Sequence, residues 1–153
     1  MAHVVAISDS PEWEPNAPEA VLITDDSARA VLALNPHFED IDRRAIALLW
    51  QGVYSVSMGY PNDEGLTDHP LYYSGLDKLL WMGEVHGGPA VPIPFGPPPR
   101  HFVVPLREAV VEVLADAFSV ARIAGTTHQA SGAAMDLNWN ELEFRFQTTS
   151  GQK

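Results

Sequence analysis

The sequence predicts a mainly β protein: a single antiparallel, curled sheet in a barrel or sandwich, with at most one or two short helices. Three observations predict it. Residues 46–58 alternate between apolar and polar side chains, Gly52 interrupts that run at its middle, and other short apolar runs are bounded by turn residues. The 153 residues suffice for one core. We therefore expect a single domain over residues 1–153.

The first predicted element is a hairpin. Apolar runs at 20–24 and 29–34 flank a polar segment, 25–28, whose short side chains favour a turn by bonding their own backbone. A helix over residues 26–35 is the alternative, because Asp26 or Ser27 would cap it and alanine and leucine are good helix formers. The turn chemistry favours the hairpin.

Residues 46–58 form the strongest strand pattern. One face carries Ile46, Leu48, Trp50, Tyr54, Val56 and Met58, and the other carries Gln51, Ser55 and Ser57. The run is longer than the usual ~5 or 6 residues of a strand. Together with Gly52, this length predicts a bend or bulge where the sheet curls.

Four later runs also have strand character: 81–86, 101–106, 109–117 and 140–147. The middle two are close enough to form a hairpin, and a short helix is expected near 73–80. Residues 87–99 hold six prolines and three glycines, which predicts an exposed loop acting as a linker or as a lid. The polar tail, 148–153, is expected to fray.

Composition excludes several classes of function. The net charge of −11 disfavours binding to nucleic acid and to anionic membranes, and it would attract a basic protein or a cationic small molecule. The chain has no cysteine, so disulfides, thiolate catalysis and cysteine-ligated metals are absent. The start of the sequence has no basic leader, and we expect a cytoplasmic protein. Whether it forms a homodimer stays open.

The richest chemistry lies in residues 59–72, a predicted loop without Lys or Arg. Asp63 and Glu64 are adjacent carboxylates, and desolvation would bring such a group into the range of an acid or base. His69 is the complementary group, so these three residues are the predicted catalytic set. The alternative is structural, because Asn62 and Asp63 are good turn residues and His69 can bond the backbone within the loop.

A group of small uncharacterised bacterial proteins shares a core that this chain resembles. Its first motif reads GYPNDE, here residues 59–64, and after four residues it continues with HPLY, here 69–72. The resemblance extends through Glu84 and His101 to Glu112. Where those proteins tend to have Asn-Ser after Glu-Val, this chain has His86-Gly87. The resemblance implies one spatial constellation of residues 60–72, Glu84 and His101, and it implies no particular activity.

The predicted substrate-binding residues complete this candidate site. They are Tyr60, Asn62, Tyr72, Glu84 and His101. Glu84 lies between apolar neighbours, so it either faces solvent or is buried with a partner, for which His101 is the candidate. With His69 these two would form a two-histidine, one-carboxylate set for a divalent metal, but no spacing enforces it, and we expect neither metal nor cofactor.

Three functions remain open at this level. The first is a cofactor-independent acid–base enzyme that binds a small molecule. The second is a non-enzymatic acidic module, inhibitor-like or immunity-like, that binds a basic protein. The third is a passive carrier of a small ligand. The decisive question is whether the candidate side chains converge beside a concave apolar pocket.

Overall fold

One antiparallel sheet dominates the fold of this protein, described here from a computed structural model. The structure describes residues 2–7, 10–15, 19–88 and 96–146. The strands, in chain order, are β1 (His3–Ala6), β2 (Val21–Thr24), β3 (Arg29–Leu34), β4 (Ala45–Gly59), β5 (Gly83–His86), β6 (Arg100–Pro105), β7 (Val110–Ile123) and β8 (Arg145–Phe146). Their order across the sheet is β1-β5-β6-β7-β4-β3-β2, and β8 pairs with β7. The mainly β prediction is confirmed.

The sheet is open within the described residues. Its hydrogen-bonded path ends at β1 on one side and at β2 on the other, so the strands do not close into a barrel. One α-helix occurs in this part of the chain, α1 (Thr127–Met135). Four 3₁₀ turns accompany it: Leu66–Asp68, Tyr72–Ser74, Leu76–Lys78 and Trp139–Glu141.

The predicted hairpin is confirmed as β2 and β3. Asp25 builds the turn, because its Oδ1 accepts hydrogen bonds from the N–H groups of Ser27 at 3.0 Å and Arg29 at 3.2 Å. Ala28 adopts a positive φ of 60° in the same turn. These bonds satisfy the backbone in a non-helical conformation, which excludes the alternative helix.

The bend predicted in the long strand β4 is also confirmed. Gly52 has a φ of +66°, and the pairing of β4 with β7 shifts register between Val53 and Ser55, which makes Tyr54 the extra residue of a bulge. A Cβ atom on Gly52 would collide with the carboxylate of Asp116. The side chain of residue 52 is therefore excluded by the neighbouring strand as well as by its own backbone angle.

The two faces of the sheet have different covers. One face carries the main core, which includes Leu48, Trp50, Phe102 and Phe118. At one end, the opposite face packs Ala47, Leu49 and Val31 against α1 and Trp139. At its other end, this opposite face is covered by residues 66–79, through Leu66, Leu71, Leu76 and Leu79 packed on Val103 and Val110. The candidate site lies at this second end, beside residues 66–79.

Several predicted elements are wrong. The strand predicted over 140–147 does not form over its described part, 140–146: a 3₁₀ turn occupies Trp139–Glu141, and of these described residues only Arg145–Phe146 pair with β7. The short helix expected near 73–80 is replaced by two 3₁₀ turns. The helix α1 and the edge strand β1 were not predicted. Helix α1 begins at a capping box in which Thr126 and Gln129 bond each other's backbone N–H groups.

Two predicted features lie largely or wholly outside the described residues. They are the proline-rich loop 87–99, of which the structure describes 87, 88 and 96–99, and the tail 148–153. Across the described residues, no helix is both long and apolar enough to span a membrane.

Candidate functional site

Local hydrogen bonds shape the segment that follows β4. Asn62 Oδ1 accepts from the Gly65 N–H at 2.9 Å, and the Asp63 N–H donates to the Arg107 carbonyl at 2.9 Å. The Tyr60 hydroxyl donates to Asp68 Oδ2 at 2.6 Å. These bonds turn the chain back over the sheet, and the 3₁₀ turn Leu66–Asp68 then delivers His69 to the interior.

His69 is buried, with 8% of its surface exposed, and both of its ring nitrogens are engaged. The Leu71 N–H donates to His69 Nδ1 at 3.0 Å, so Nδ1 must carry a lone pair rather than a proton. The proton of the neutral ring therefore lies on Nε2, which is 2.9 Å from Glu112 Oε2. His69 donates to Glu112, and the loop backbone fixes the tautomer that does so.

Glu112, on β7, receives a second hydrogen bond from β6. Its Oε1 lies 2.8 Å from His101 Nε2. The hydrogen bond from His101 is the largest cause of a lowered pKa at Glu112. Together with the bond from His69 it outweighs the opposing effect of burial, so the pKa falls to about 2. Glu112 is thus a carboxylate at neutral pH, and both of its oxygens act as acceptors.

The chain of hydrogen bonds ends at His101. Because Glu112 is ionised, His101 Nε2 must be the donor, which leaves Nδ1 of the neutral ring with a lone pair. Among the described residues, His101 Nδ1 has no hydrogen-bond partner. The side chain is 30% exposed, so this nitrogen belongs to a ring that solvent or a ligand can reach. The arrangement resembles the way a carboxylate orients a catalytic histidine.

A cavity of about 460 Å³ lies beside this cluster. Its walls are mostly apolar, with Leu71, Val85 and Leu114 among them. The described residues that line it are Ala2, Ser55, Ser57, Pro70, Leu71, Val85, Gly88, His101, Glu112 and Leu114. The volume falls within the range of about 300–1,000 Å³ typical of small-molecule sites, which combine apolar walls with a few polar groups.

Strand register explains why the polar groups meet in the cavity. Ser57 lies directly opposite Glu112, while Leu114 has Ser55 opposite it on β4 and His101 opposite it on β6. Cross-strand neighbours share a face of the sheet. The two serines, the carboxylate and His101 therefore project from the same side.

The structure brings together only part of the predicted constellation. His69 and His101 meet through Glu112. Asp63 and Glu64 are exposed and do not line the cavity. Tyr60 and Asn62 hold the loop together, and Tyr72 packs edge-on against Tyr73 with ring centres 4.8 Å apart. Of the predicted residues, His101 alone is among the described lining residues of the cavity, and His69 is linked to it through Glu112.

Glu84 is on the other side of the sheet, so its predicted pairing with His101 is wrong. It lies opposite Phe102, a residue of the main core, and it forms a two-pronged ion pair with Arg100 at 2.7 and 2.8 Å. Both side chains are nearly buried. The partner of His101 is Glu112, which the sequence indicates only as part of the resemblance. For Ser55 and Ser57 the sequence pattern indicates only a shared strand face.

The alternative metal set of His69, Glu84 and His101 does not assemble. Glu84 is separated from the histidines by the sheet, and His69 cannot offer Nε2 to a metal while Nδ1 accepts the Leu71 N–H, because the ring proton must occupy one nitrogen. Within the described part of the chain, no group of three or more His, Asp or Glu side chains is arranged to hold a metal ion.

Comparison with known proteins adds no relative. No sequence model of a protein family matches the chain, and no curated protein or solved structure is significantly similar to it. Function is therefore argued from the geometry of the site.

Proposed function

We propose that this protein binds a small organic molecule in the cavity and exchanges a proton with it at His101 Nδ1. The observation that carries this proposal is the hydrogen-bonded chain from the Leu71 N–H through His69 and Glu112 to His101. Each proton in that chain has an assigned position, and the chain ends at a nitrogen without a partner among the described residues. Such an arrangement suits a general base.

Each residue of the chain has a distinct part. His101 accepts the proton. Glu112 holds the ring by its Nε2–H and stabilises the imidazolium that forms, because the carboxylate is already ionised. His69 occupies the second oxygen of Glu112 and so keeps the carboxylate in one orientation. The step needs no cofactor: a C–H, N–H or O–H bond of the ligand breaks, its proton moves to Nδ1, and the electron pair stays on the ligand.

The ligand cavity is tested with a neutral fluorescent probe, 1-aminoanthracene. Leu114→Trp places a large ring in the cavity and should abolish probe binding. The matched control is Leu137→Trp, which adds the same ring at a partly exposed position after α1 and should bind as the wild type does. Equal binding by wild type and Leu114→Trp, with both proteins folded, would contradict a cavity site.

Proton transfer is tested separately. Wild type and His101→Gln are incubated with a bacterial small-molecule extract, and mass spectrometry follows which compounds change. Glutamine retains a hydrogen-bonding side chain but cannot take up a proton near neutral pH. The proposal expects a compound that wild type converts and His101→Gln does not. If His101→Gln converts the same compounds as wild type, His101 is not the base. If the probe binds and wild type converts no compound, the protein is a carrier.

A second candidate function has its own observation. Tyr60 and Tyr73 are 74% and 84% exposed, and the exposed carboxylates of Asp63, Glu64 and Asp68 occupy the same loop. Exposed aromatic side chains are typical anchors of protein interfaces, and the carboxylates would favour a basic partner. This function predicts that Tyr73→Ser weakens capture of a basic protein and leaves probe binding in the cavity unchanged.

A further inference from the structure

The cavity has an unbalanced charge. Glu112 is an anion, and among the described lining residues there is no Lys or Arg to neutralise it. The nearby arginines are directed elsewhere: Arg100 pairs with Glu84 on the opposite face of the sheet, and Arg107 lies 3.6 Å from Glu108. With the His101 ring neutral, the described lining therefore presents one negative charge to whatever enters.

His69 does not supply the missing positive charge. A second proton on its ring would have to bind Nδ1, which already accepts the Leu71 N–H at 3.0 Å. Two N–H groups would then face each other, so the observed geometry holds only for the neutral ring. His69 reaches Glu112 as a neutral donor.

His101 presents an acceptor on the same side. Its Nε2–H is committed to Glu112, and Nδ1 of the neutral ring offers a lone pair. A ligand group that both donates a hydrogen bond and carries a positive charge would satisfy this nitrogen and compensate the carboxylate behind it. An ammonium group meets both conditions, whereas a hydroxyl meets only the first.

The other residues that line the cavity indicate what the rest of such a ligand would be. Leu71, Val85, Leu114 and Pro70 provide apolar walls, and Ser55 and Ser57 add uncharged hydroxyls. An apolar body next to an ammonium group fits these surfaces. The net charge of −11 acts in the same direction, because it raises the local concentration of cations and lowers that of anions.

We infer that the cavity takes an organic amine in its ammonium form, with an apolar body of roughly phenyl size, and discriminates against carboxylates. This inference rests on the proposed function, because it assigns the class of ligand to the same cavity. The ammonium N–H donates to His101 Nδ1, the charge interacts with Glu112, and the apolar body contacts Leu71, Val85 and Leu114.

Three probes of nearly equal shape test the inference: phenethylammonium, 2-phenylethanol and phenylacetate, each competing with 1-aminoanthracene at low salt. We expect phenethylammonium to bind about tenfold more tightly than the alcohol, as one partly screened charge pair provides, and phenylacetate to bind most weakly. Equal or tighter binding of the alcohol overturns the inference and leaves the cavity site intact. Failure of all three probes and of 1-aminoanthracene contradicts the proposed function itself.

Two charge variants test whether Glu112 causes the preference for the ammonium ion over the alcohol. Glu112→Gln should reduce the ammonium preference to less than about twofold while the alcohol still binds. Glu141→Gln changes the net charge equally at an exposed position on the 3₁₀ turn Trp139–Glu141, and it should retain the preference. Equal loss in both variants would assign the effect to overall charge and overturn the inference.

A third variant covers the case in which Glu112→Gln does not fold. Ser57→Lys places an ammonium group directly opposite Glu112 and should remove the preference for phenethylammonium over 2-phenylethanol, because the two charges in the lining compensate each other. An unchanged preference in folded Ser57→Lys would also overturn the inference.

Discussion

His69 donates a hydrogen bond to Glu112 across 2.9 Å, and the direction of that bond is set by a third group, the Leu71 N–H on the far side of the ring. A backbone amide two residues along the chain thus determines which histidine nitrogen carries the proton. The consequence reaches β6, because Glu112 in turn orients His101.

The tautomer of His69 is directly measurable. We expect the ring proton on Nε2 and a lone pair on Nδ1 at neutral pH, and two-bond ¹H–¹⁵N correlation spectra of the imidazole distinguish the two forms. His69→Gln identifies the resonances of this ring by their loss. An Nδ1–H signal from His69 would contradict the proposed direction of the chain.

The lowered pKa of Glu112 predicts that the stability of the protein depends on pH. Its pKa is about 2 in the folded protein and 4.5 as the reference, so between these values the unfolded chain binds more protons than the folded one. The stabilisation is therefore fully present above the unfolded pKa and is lost as pH falls through the folded pKa. We expect Glu112→Gln to be about 1–2 kcal/mol less stable than wild type at pH 6, the usual scale of hydrogen bonds to a charged group that keeps some exposure.

Denaturant unfolding at pH 6, 4 and 2.5 checks this expectation. The difference in free energy of unfolding between wild type and Glu112→Gln should narrow as the pH falls. Glu141→Gln, at an exposed carboxylate, serves as the control. A difference that stays constant over this range would show that Glu112 is not held as a low-pKa carboxylate.

Gly52 and Asp116 form a close contact that a double-mutant cycle resolves. Gly52→Ala should destabilise the protein by at least about 2 kcal/mol, because the alanine adopts a left-handed φ and its Cβ meets the Asp116 carboxylate. In the Asp116→Ala background the collision is relieved and only the backbone strain remains, so the same change should cost less. Chemical denaturation of the four proteins measures the coupling, and additive costs would rule out the contact.

The Arg100–Glu84 pair should behave as structure and not as part of the ligand site. Arg100 also stacks on Phe102, 4.8 Å from the ring centre, so it lies against the main core. Arg100→Met alone leaves Glu84 nearly buried without this partner and should cost about 3–5 kcal/mol, while Arg100→Met with Glu84→Leu should be closer to wild type. Thermal unfolding of wild type, the single variant and the double variant tests this order of stabilities. Probe affinity should not change in any folded variant of this pair.

The exposed carboxylates of the loop are expected to be dispensable for the cavity. Asp63→Asn and Glu64→Gln should change probe affinity by less than about twofold, because both side chains are solvated and outside the lining. Fluorescence titration compares them with His101→Gln. A large loss in Asp63→Asn, with the protein folded, would return this residue to the catalytic set expected from sequence.

Local sequence patterns were sufficient to predict much of the sheet. The alternation in β4 and the turn chemistry at Asp25 depend on neighbours in sequence, and both elements were predicted correctly. The predicted face of β4 was wrong at Tyr54, since the bulge leaves Tyr54 exposed and packs Val53 against the core. Edge strand β1 was missed because its residues are largely exposed and give no alternating pattern. Helix α1 was missed because its small and polar residues show little amphipathic contrast, although the spacing of Thr126 and Gln129 was a usable signal.

The site was less predictable because its contacts are non-local. His69 and His101 were selected by residue type, but their shared partner depends on the β6–β7 register and on the path of residues 59–79. Glu112 is an unremarkable acidic residue in a strand until that register is known. Glu84 was misassigned for the same reason: alternation alone did not show which face of β5 meets the core.

The bulge at Tyr54 has a consequence for the evolution of the site. If β4 had no bulge and paired continuously with β7 from Val53 and Ala115 onward, Tyr54 would lie opposite Leu114 and Val56 opposite Glu112. The cavity would then be lined by an aromatic ring and a valine, and both serines would turn into the core. The bulge, two strands away from His101, thus replaces a hydrophobic wall with a hydroxyl-lined one, so insertions and deletions in β4, more than substitutions, are the changes expected to switch what this fold binds.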